Sequence, residues 1–195
     1  MQASTQELQH WVGKKVTFMT TRTGSWANYV ATTPLLTFEV DEDVPLQSTA
    51  CGVVNPLTVI GILHVFKERK LKGLVHCPGA SALGRMLNRL CIKEGIPLLN
   101  VVRREEQAKL LKSEGAEHIL VTEGDWEQKY REYVEKSGFD CLFDALGGGK
   151  VTQILAEELP LKSGIFLYGS ITQIPFCFSK TDQILNGKKI EGFLL

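Results

Sequence analysis

The sequence predicts an α/β protein built on a doubly wound parallel sheet, and two observations carry that prediction. The first is the stretch 73–104. There an apolar run over 73–77 (GLVHC) is followed by the small residues Pro78, Gly79, Ala80, Ser81 and Ala82. A helical pattern then covers 83–94, with Leu83, Met86, Leu87, Leu90 and Cys91 at helical spacing. Gly95 stops it, and a second apolar run spans 96–102. Strand, small-residue turn, helix and strand make a βαβ unit. The second observation is that this alternation continues to the end of the chain. Strands are expected over 73–77, 96–102, 117–121, 139–143, 164–168 and 189–195. Helices are expected over 83–94, 105–114, 125–136 and 150–159, with 176–186 irregular or partly helical. Six strands joined by such crossovers predict the sheet order 3-2-1-4-5-6.

The stretch before residue 73 reads differently. Residues 1–14 are polar and suit a frayed or short helical lead-in. Strands are expected over 16–21, 26–31 and 35–40, the first two joined by the turn signal Arg22, Thr23, Gly24, Ser25. Asp41, Glu42, Asp43 and Pro45 lead into a helix over 46–53. Asn55 and Pro56 open a longer helix to about residue 68, with the proline early, where its missing N–H costs little. The chain thus divides into a small β-rich part, 1–54, and an α/β part, 55–195.

Composition narrows the function classes. Of 195 residues, 44% are hydrophobic and 23% charged, as in ordinary globular proteins. Lys plus Arg and Asp plus Glu each number 22, so charge gives no pointer to nucleic acid. The cysteines Cys51, Cys77, Cys91, Cys141 and Cys177 are scattered, odd in number and without zinc spacing, so free thiols and no metal are expected. No apolar stretch is long enough to span a membrane. An intracellular location is expected, in the cytoplasm or the mitochondrial matrix.

The loop after the first sheet strand carries the chemistry. A pyrophosphate needs the N–H groups at a helix N-terminus and a backbone that comes close. Gly79 and Gly84, with Ala80, Ser81 and Ala82 between them, form a degenerate G-x-G-x-x-G in a Rossmann setting. Ser81, Ala82, Leu83 and Gly84 are therefore candidate cofactor-binding residues. The other reading is a tight turn that binds nothing. The second sheet strand ends in Arg103 and Arg104 rather than an acid. An acid there suits the 2′-hydroxyl of NAD, and arginine the 2′-phosphate of NADP. NADP(H) is expected, with Arg103 the better candidate; solvated surface arginines are the alternative. Tyr168, Gly169 and Ser170 follow the fifth sheet strand, at the edge where ligands gather in such sheets. Gly147, Gly148 and Gly149 flank the cofactor or form a flexible turn. His76 and His118 read as core or strand-end residues.

Several stretches then resemble one family. WVGKKV (11–16) with GSWANYV (24–30) is similar to the VGKRV…GxWAEYV segment of medium-chain dehydrogenase/reductases. Asn55, Pro56, Leu57 and Thr58 resemble that family's NPLTA helix start, and residues 80–84 (ASALG) its nucleotide loop. Residues 115–118 (GAEH), 140–148 (DCLFDALGG) and 167–169 (LYG) resemble its later strands. Order and spacing match over 11–195. Asn100, Val101, Val102 and Arg103 most resemble the zinc-free quinone oxidoreductase and enoyl-thioester reductase branch. The family usually reads A-x-x-G-x-x-G or G-x-x-G-x-x-G in the loop. Here Pro78 and Ser81 hold the first and fourth positions, and Ser81 offers an N–H and a hydroxyl to a phosphate oxygen.

The resemblance implies an NADPH-dependent oxidoreductase acting on quinones or α,β-unsaturated carbonyls and thioesters. It places Thr58 under the nicotinamide, a role that competes with first-turn capping. It makes the β-rich part a remnant of a GroES-like catalytic domain, whose larger share, with the catalytic tyrosine of enoyl reductases, lies outside the match. No catalytic residue is assigned, and the chain is expected to be inactive alone. The alternatives are a non-catalytic accessory or structural subunit of a larger complex, and a fragment or splice form of a full reductase. The family commonly dimerises by joining sheet edges. A homodimer or larger assembly is accordingly expected through the edge strand 189–195, which carries Ile190, Phe193, Leu194 and Leu195.

Overall fold

The computed structural model describes residues 6–20 and 24–194, in two compact units, 1–57 and 58–195. Arg22 and Thr23 of the expected turn, and the final Leu195, lie outside the described residues.

The smaller unit opens with a 3-10 helix, Gln6–Trp11. Strand β1 (Val16–Phe18) pairs antiparallel with β2 (Thr37–Glu39), Val16 opposite Glu39 and Phe18 opposite Thr37. A 3-10 turn, Pro34–Leu36, replaces the start of the strand expected over 35–40. The acidic loop closes on a lysine: the Lys15 ammonium donates to the carbonyls of Asp41 (3.3 Å), Glu42 (3.1 Å) and Val44. Helix α1 (Leu46–Thr49) is a single turn, shorter than the helix expected over 46–53. The strand expected over 26–31 is absent. These residues form bends, with Trp26 and Tyr29 fully exposed. Aromatic residues favour a pleated surface only where a neighbouring strand gives them something to pack on, and β1 pairs with β2 instead.

Helix α2 (Val54–Glu68) carries Pro56 in its first turn. From Thr58 on it belongs to the larger unit and buries Thr58, Val59, Ile62, Leu63 and Phe66 at helical spacing. The strands are β3 (Leu74–Cys77), β4 (Leu98–Val102), β5 (His118–Val121), β6 (Cys141–Asp144), β7 (Gly164–Leu167) and β8 (Lys189–Gly192). Between them run α3 (Ala82–Glu94), α4 (Glu105–Ser113), α5 (Trp126–Ser137), α6 (Gly149–Glu157) and the short α7 (Lys180–Ile184). All five pairings are parallel and the order is β5-β4-β3-β6-β7-β8. Counted from β3, this is the expected 3-2-1-4-5-6.

Both faces of the sheet are covered, which is why its strands read as continuous apolar runs. On one face Leu74, Leu98, Cys141, Phe143 and Phe166 pack with residues of α2 and α3. On the other, Val75, Leu99, Leu142 and Ile165 pack with Tyr130 and Val134 of α5 and Leu155 of α6. No helix of the described residues is long and apolar enough to cross a membrane.

The last strand corrects an expectation. It stops at Gly192, and Phe193 turns inward, its ring edge-on to Phe143 at 5.5 Å. Leu194, two residues after the strand's end, is exposed, as are Ile184 and Leu185 at the end of α7.

Candidate nucleotide site

Because every sheet strand runs the same way, all their C-terminal ends share one edge. The order reverses between β3 and β6, and that is where an open α/β sheet leaves a crevice. The loop out of β3 passes this point. Gly79 N–H donates to Val101 O (2.7 Å), laying the loop across β4. A Cβ at Gly79 would lie 2.9 Å from Cβ of Asn100. Asn100 in turn donates from Nδ2 to Asn88 Oδ1 of α3 (3.0 Å). Gly84 is required by close approach: a Cβ there would lie 2.2 Å from the Gly79 carbonyl oxygen. The glycine lets α3 start directly beneath the loop.

Ser81 is the N-cap of α3. Its Oγ accepts from Gly84 N–H (3.0 Å) and donates to Pro78 O (2.9 Å). The hydroxyl expected to meet a phosphate oxygen is here bonded within the loop. The first-turn amides of Ala82 and Leu83 have no partner within the helix. Ala82 is exposed, while the Leu83 side chain and Gly84 are buried. A helix start with two open amides, reached over small residues, suits a pyrophosphate.

Arg103 and Arg104 follow β4 and are exposed. Gln107 Oε1 accepts from both backbone N–H groups, at 3.0 and 3.1 Å, which fixes the turn. Among the described residues neither guanidinium has an ion-pair partner. Both are thus available to an anion, as a 2′-phosphate requires. Arg85, one turn into α3, is engaged: with Arg89 it pairs to Glu114, and the Arg85 bond is the main cause holding that carboxyl below its usual range.

The loops after β6 and β7 interlock beside this crevice. The buried Asp144 carboxylate accepts from Gly147 N–H (2.7 Å) and Thr152 Oγ1 (3.1 Å), while burial raises its pKa. Gly147 has φ +76°, and a Cβ there would lie 2.5 Å from Gly169 O. Ile171 N–H donates to Ala145 O (3.1 Å) and Thr172 N–H to Leu146 O (3.0 Å). Tyr168 and Gly169 are half-buried and Ser170 is exposed at this edge. Thr58 is buried in α2.

Sequence reasoning missed two features. Asp144 organises the loop, and its signal was an acid closing an otherwise apolar strand. His76 bonds Tyr168, 92 positions away, with Nε2 and the hydroxyl oxygen 2.6 Å apart. Among the described residues no cluster of His, Cys, Asp and Glu could hold a metal.

Comparison with known proteins bears on this geometry. Human mitochondrial enoyl-[acyl-carrier-protein] reductase is 27% identical over 177 residues, covering 88% of this chain and 48% of the human protein. A Mesorhizobium loti structure assigned as an NADPH:quinone reductase is 29% identical, with a TM-score of 0.76 over 82% of this chain and 47% of that one. By sequence the chain is similar to enoyl-[acyl-carrier-protein] and quinone reductases, in line with the resemblance noted above. A solved Etr1p complex with NADP and crotonyl-CoA shares the fold at 21% identity and a TM-score of 0.65, over 77% of this chain and 44% of that one. The chain spans about half the length of the relatives it matches. No protein-family profile matches it.

Proposed function

We propose that the chain binds NADPH across the C-terminal edge of the sheet, as the nucleotide-binding part of a reductase for α,β-unsaturated thioesters, carbonyls or quinones. The observation that carries this reading is the open start of α3 one strand away from two exposed arginines that have no ion-pair partner among the described residues. NADPH supplies a hydride when bound. The residues proposed to hold it divide by end. The amides of Ala82 and Leu83 take the pyrophosphate, in the loop shaped by Ser81 and Gly84. Arg103 and Arg104 take the 2′-phosphate. Thr58, Tyr168, Gly169 and Ser170 face the nicotinamide half. Residues 55–195 form the proposed nucleotide domain, and 1–54 the remnant of a GroES-like domain.

Turnover by these 195 residues alone is proposed to be negligible. The site's acid–base groups are already engaged, Tyr168 with His76 and Asp144 with Gly147 and Thr152. A second reading, a non-catalytic accessory subunit derived from such a reductase, rests on the same engaged groups. One experiment addresses both. NADPH at a hundred times its Kd should stabilise the fold by about 2.7 kcal/mol in thermal unfolding. Nicotinamide absorbance should stay constant on adding enoyl thioesters and quinones. No thermal shift would overturn the nucleotide reading, and brisk turnover would overturn the inactivity.

Two further proposals concern location and assembly. A mitochondrial location is suggested by the human relative's name; a tagged chain that avoids a mitochondrial marker would refute it. Self-association through the β8 edge is suggested by its free backbone. Lys189 N–H donates to Ser163 O just ahead of β7 and Phe193 N–H to Leu167 O at its end, so the alternate amides of Ile190 and Gly192 point away from it.

A further inference from the structure

His76 is completely buried on β3, and its Nε2 lies 2.6 Å from the Tyr168 hydroxyl. The two rings stack at 5.9 Å between centroids and 15° between planes. Among the described residues its other nitrogen, Nδ1, has no partner. A buried imidazole with one hydrogen bond is oriented by that bond and by packing. Tyr168 is the first residue of the loop after β7. Backbone bonds tie that loop to the β6 side: Tyr168 N–H to Asp144 O (3.0 Å), Ile171 N–H to Ala145 O and Thr172 N–H to Leu146 O. β6 lies between β3 and β7. The His76–Tyr168 bond therefore crosses β6 and joins the loop after β7 to β3, two residues before the phosphate loop begins at Pro78.

We propose that His76 is a positioning residue: through the Tyr168 hydroxyl it sets the loop after β7 relative to the phosphate loop, and so the seat of the nicotinamide half of NADPH. The inference rests on the nucleotide reading above. The adenosine half is independent of the strut, because Arg103 and Arg104 follow β4, on the other side of β3.

The probes are NADPH and 2′,5′-ADP, which contains only the adenosine end. Both are titrated by calorimetry into the full chain and its His76→Leu, His76→Gln and Tyr168→Phe variants. His76→Leu and Tyr168→Phe should each weaken NADPH about tenfold, as expected for one lost hydrogen bond, and the double variant no further. Affinity for 2′,5′-ADP should stay within about twofold. Glutamine keeps a group that bonds the phenol, so His76→Gln should retain most NADPH affinity. Tyr168→Phe removes a single oxygen and carries the test if His76→Leu does not fold. Parallel loss of both ligands, or unchanged NADPH binding in both variants, would overturn the inference alone. A wild-type chain that binds neither ligand would overturn the nucleotide reading, and this inference with it.

Discussion

At the scale of single residues, the polar groups buried beneath the site have a measurable consequence. Burial pushes the His76 pKa from 6.5 down to about 3, so the folded chain holds it neutral. Below pH 6.5 the unfolded chain takes up a proton that the folded chain refuses. Stability should therefore be complete above about pH 6.5 and fall steadily towards pH 3. Other groups titrate too. Glu94, Glu114, Glu191 and Asp182 are held low by their partners and act below 4.5, while Asp144 is raised by burial and acts with the opposite sign. The difference between wild type and His76→Gln isolates the histidine. Thermal unfolding from pH 4.5 to 8 should show a steeper acid loss for wild type. Parallel curves would show that His76 is protonated in the fold.

At the scale of elements, the return from α7 to β8 is held by one buried cation. The Lys188 ammonium bonds Asp182 (2.8 Å), the Ala156 carbonyl (3.2 Å) and the Glu157 carbonyl. It thereby caps the C-terminus of α6, where carbonyls lack helical partners and the dipole favours positive charge. Burial works to raise the Asp182 carboxyl, but bonds from Lys188 and Asn186 outweigh it and hold the group low. Lys188→Met should cost about 3 kcal/mol, since it strands a buried carboxylate. Urea unfolding of Lys188→Met and of Lys188→Met with Asp182→Leu checks this. The double variant should recover part of the loss, and a neutral single variant would contradict the account.

The elements also show what was legible. The β3-α3-β4 unit could be read because its signals are local: continuous apolar strands, a 3.6-residue stripe and a glycine stop, seen here as Gly95 at φ +65°. The run 26–31 has strand-like residues, but a strand needs a partner, which no local signal supplies. Helix α1 lost its last turn in the same way. In the site, Arg103 and the start of α3 were visible because chain order fixes their place in a βαβ unit. The Ser81 hydroxyl bonds and the His76–Tyr168 strut were not, since each depends on how separate segments meet.

At the scale of the whole molecule, the β8 edge is the surface to test. Phe193 is packed against Phe143, so charging it would damage the core rather than the edge. Leu185 and Leu194 are exposed and can be changed safely. Light scattering should show an oligomer for wild type and a monomer for Leu185→Lys with Leu194→Lys, because charge beside an exposed edge strand, on the segments that enter and leave it, opposes strand pairing. A monomeric wild type at high concentration would contradict self-association.

The central claim is that this sheet edge binds NADPH through the arginines after β4. Its most direct test is calorimetric titration of NADPH and NADH into wild type and Arg103→Ala. Wild type should prefer NADPH by about tenfold or more, the worth of one charge-assisted contact. In Arg103→Ala most of that preference should vanish, with NADH affinity unchanged. Equal affinity of wild type for the two cofactors, or a preference that survives Arg103→Ala in full, would contradict the account.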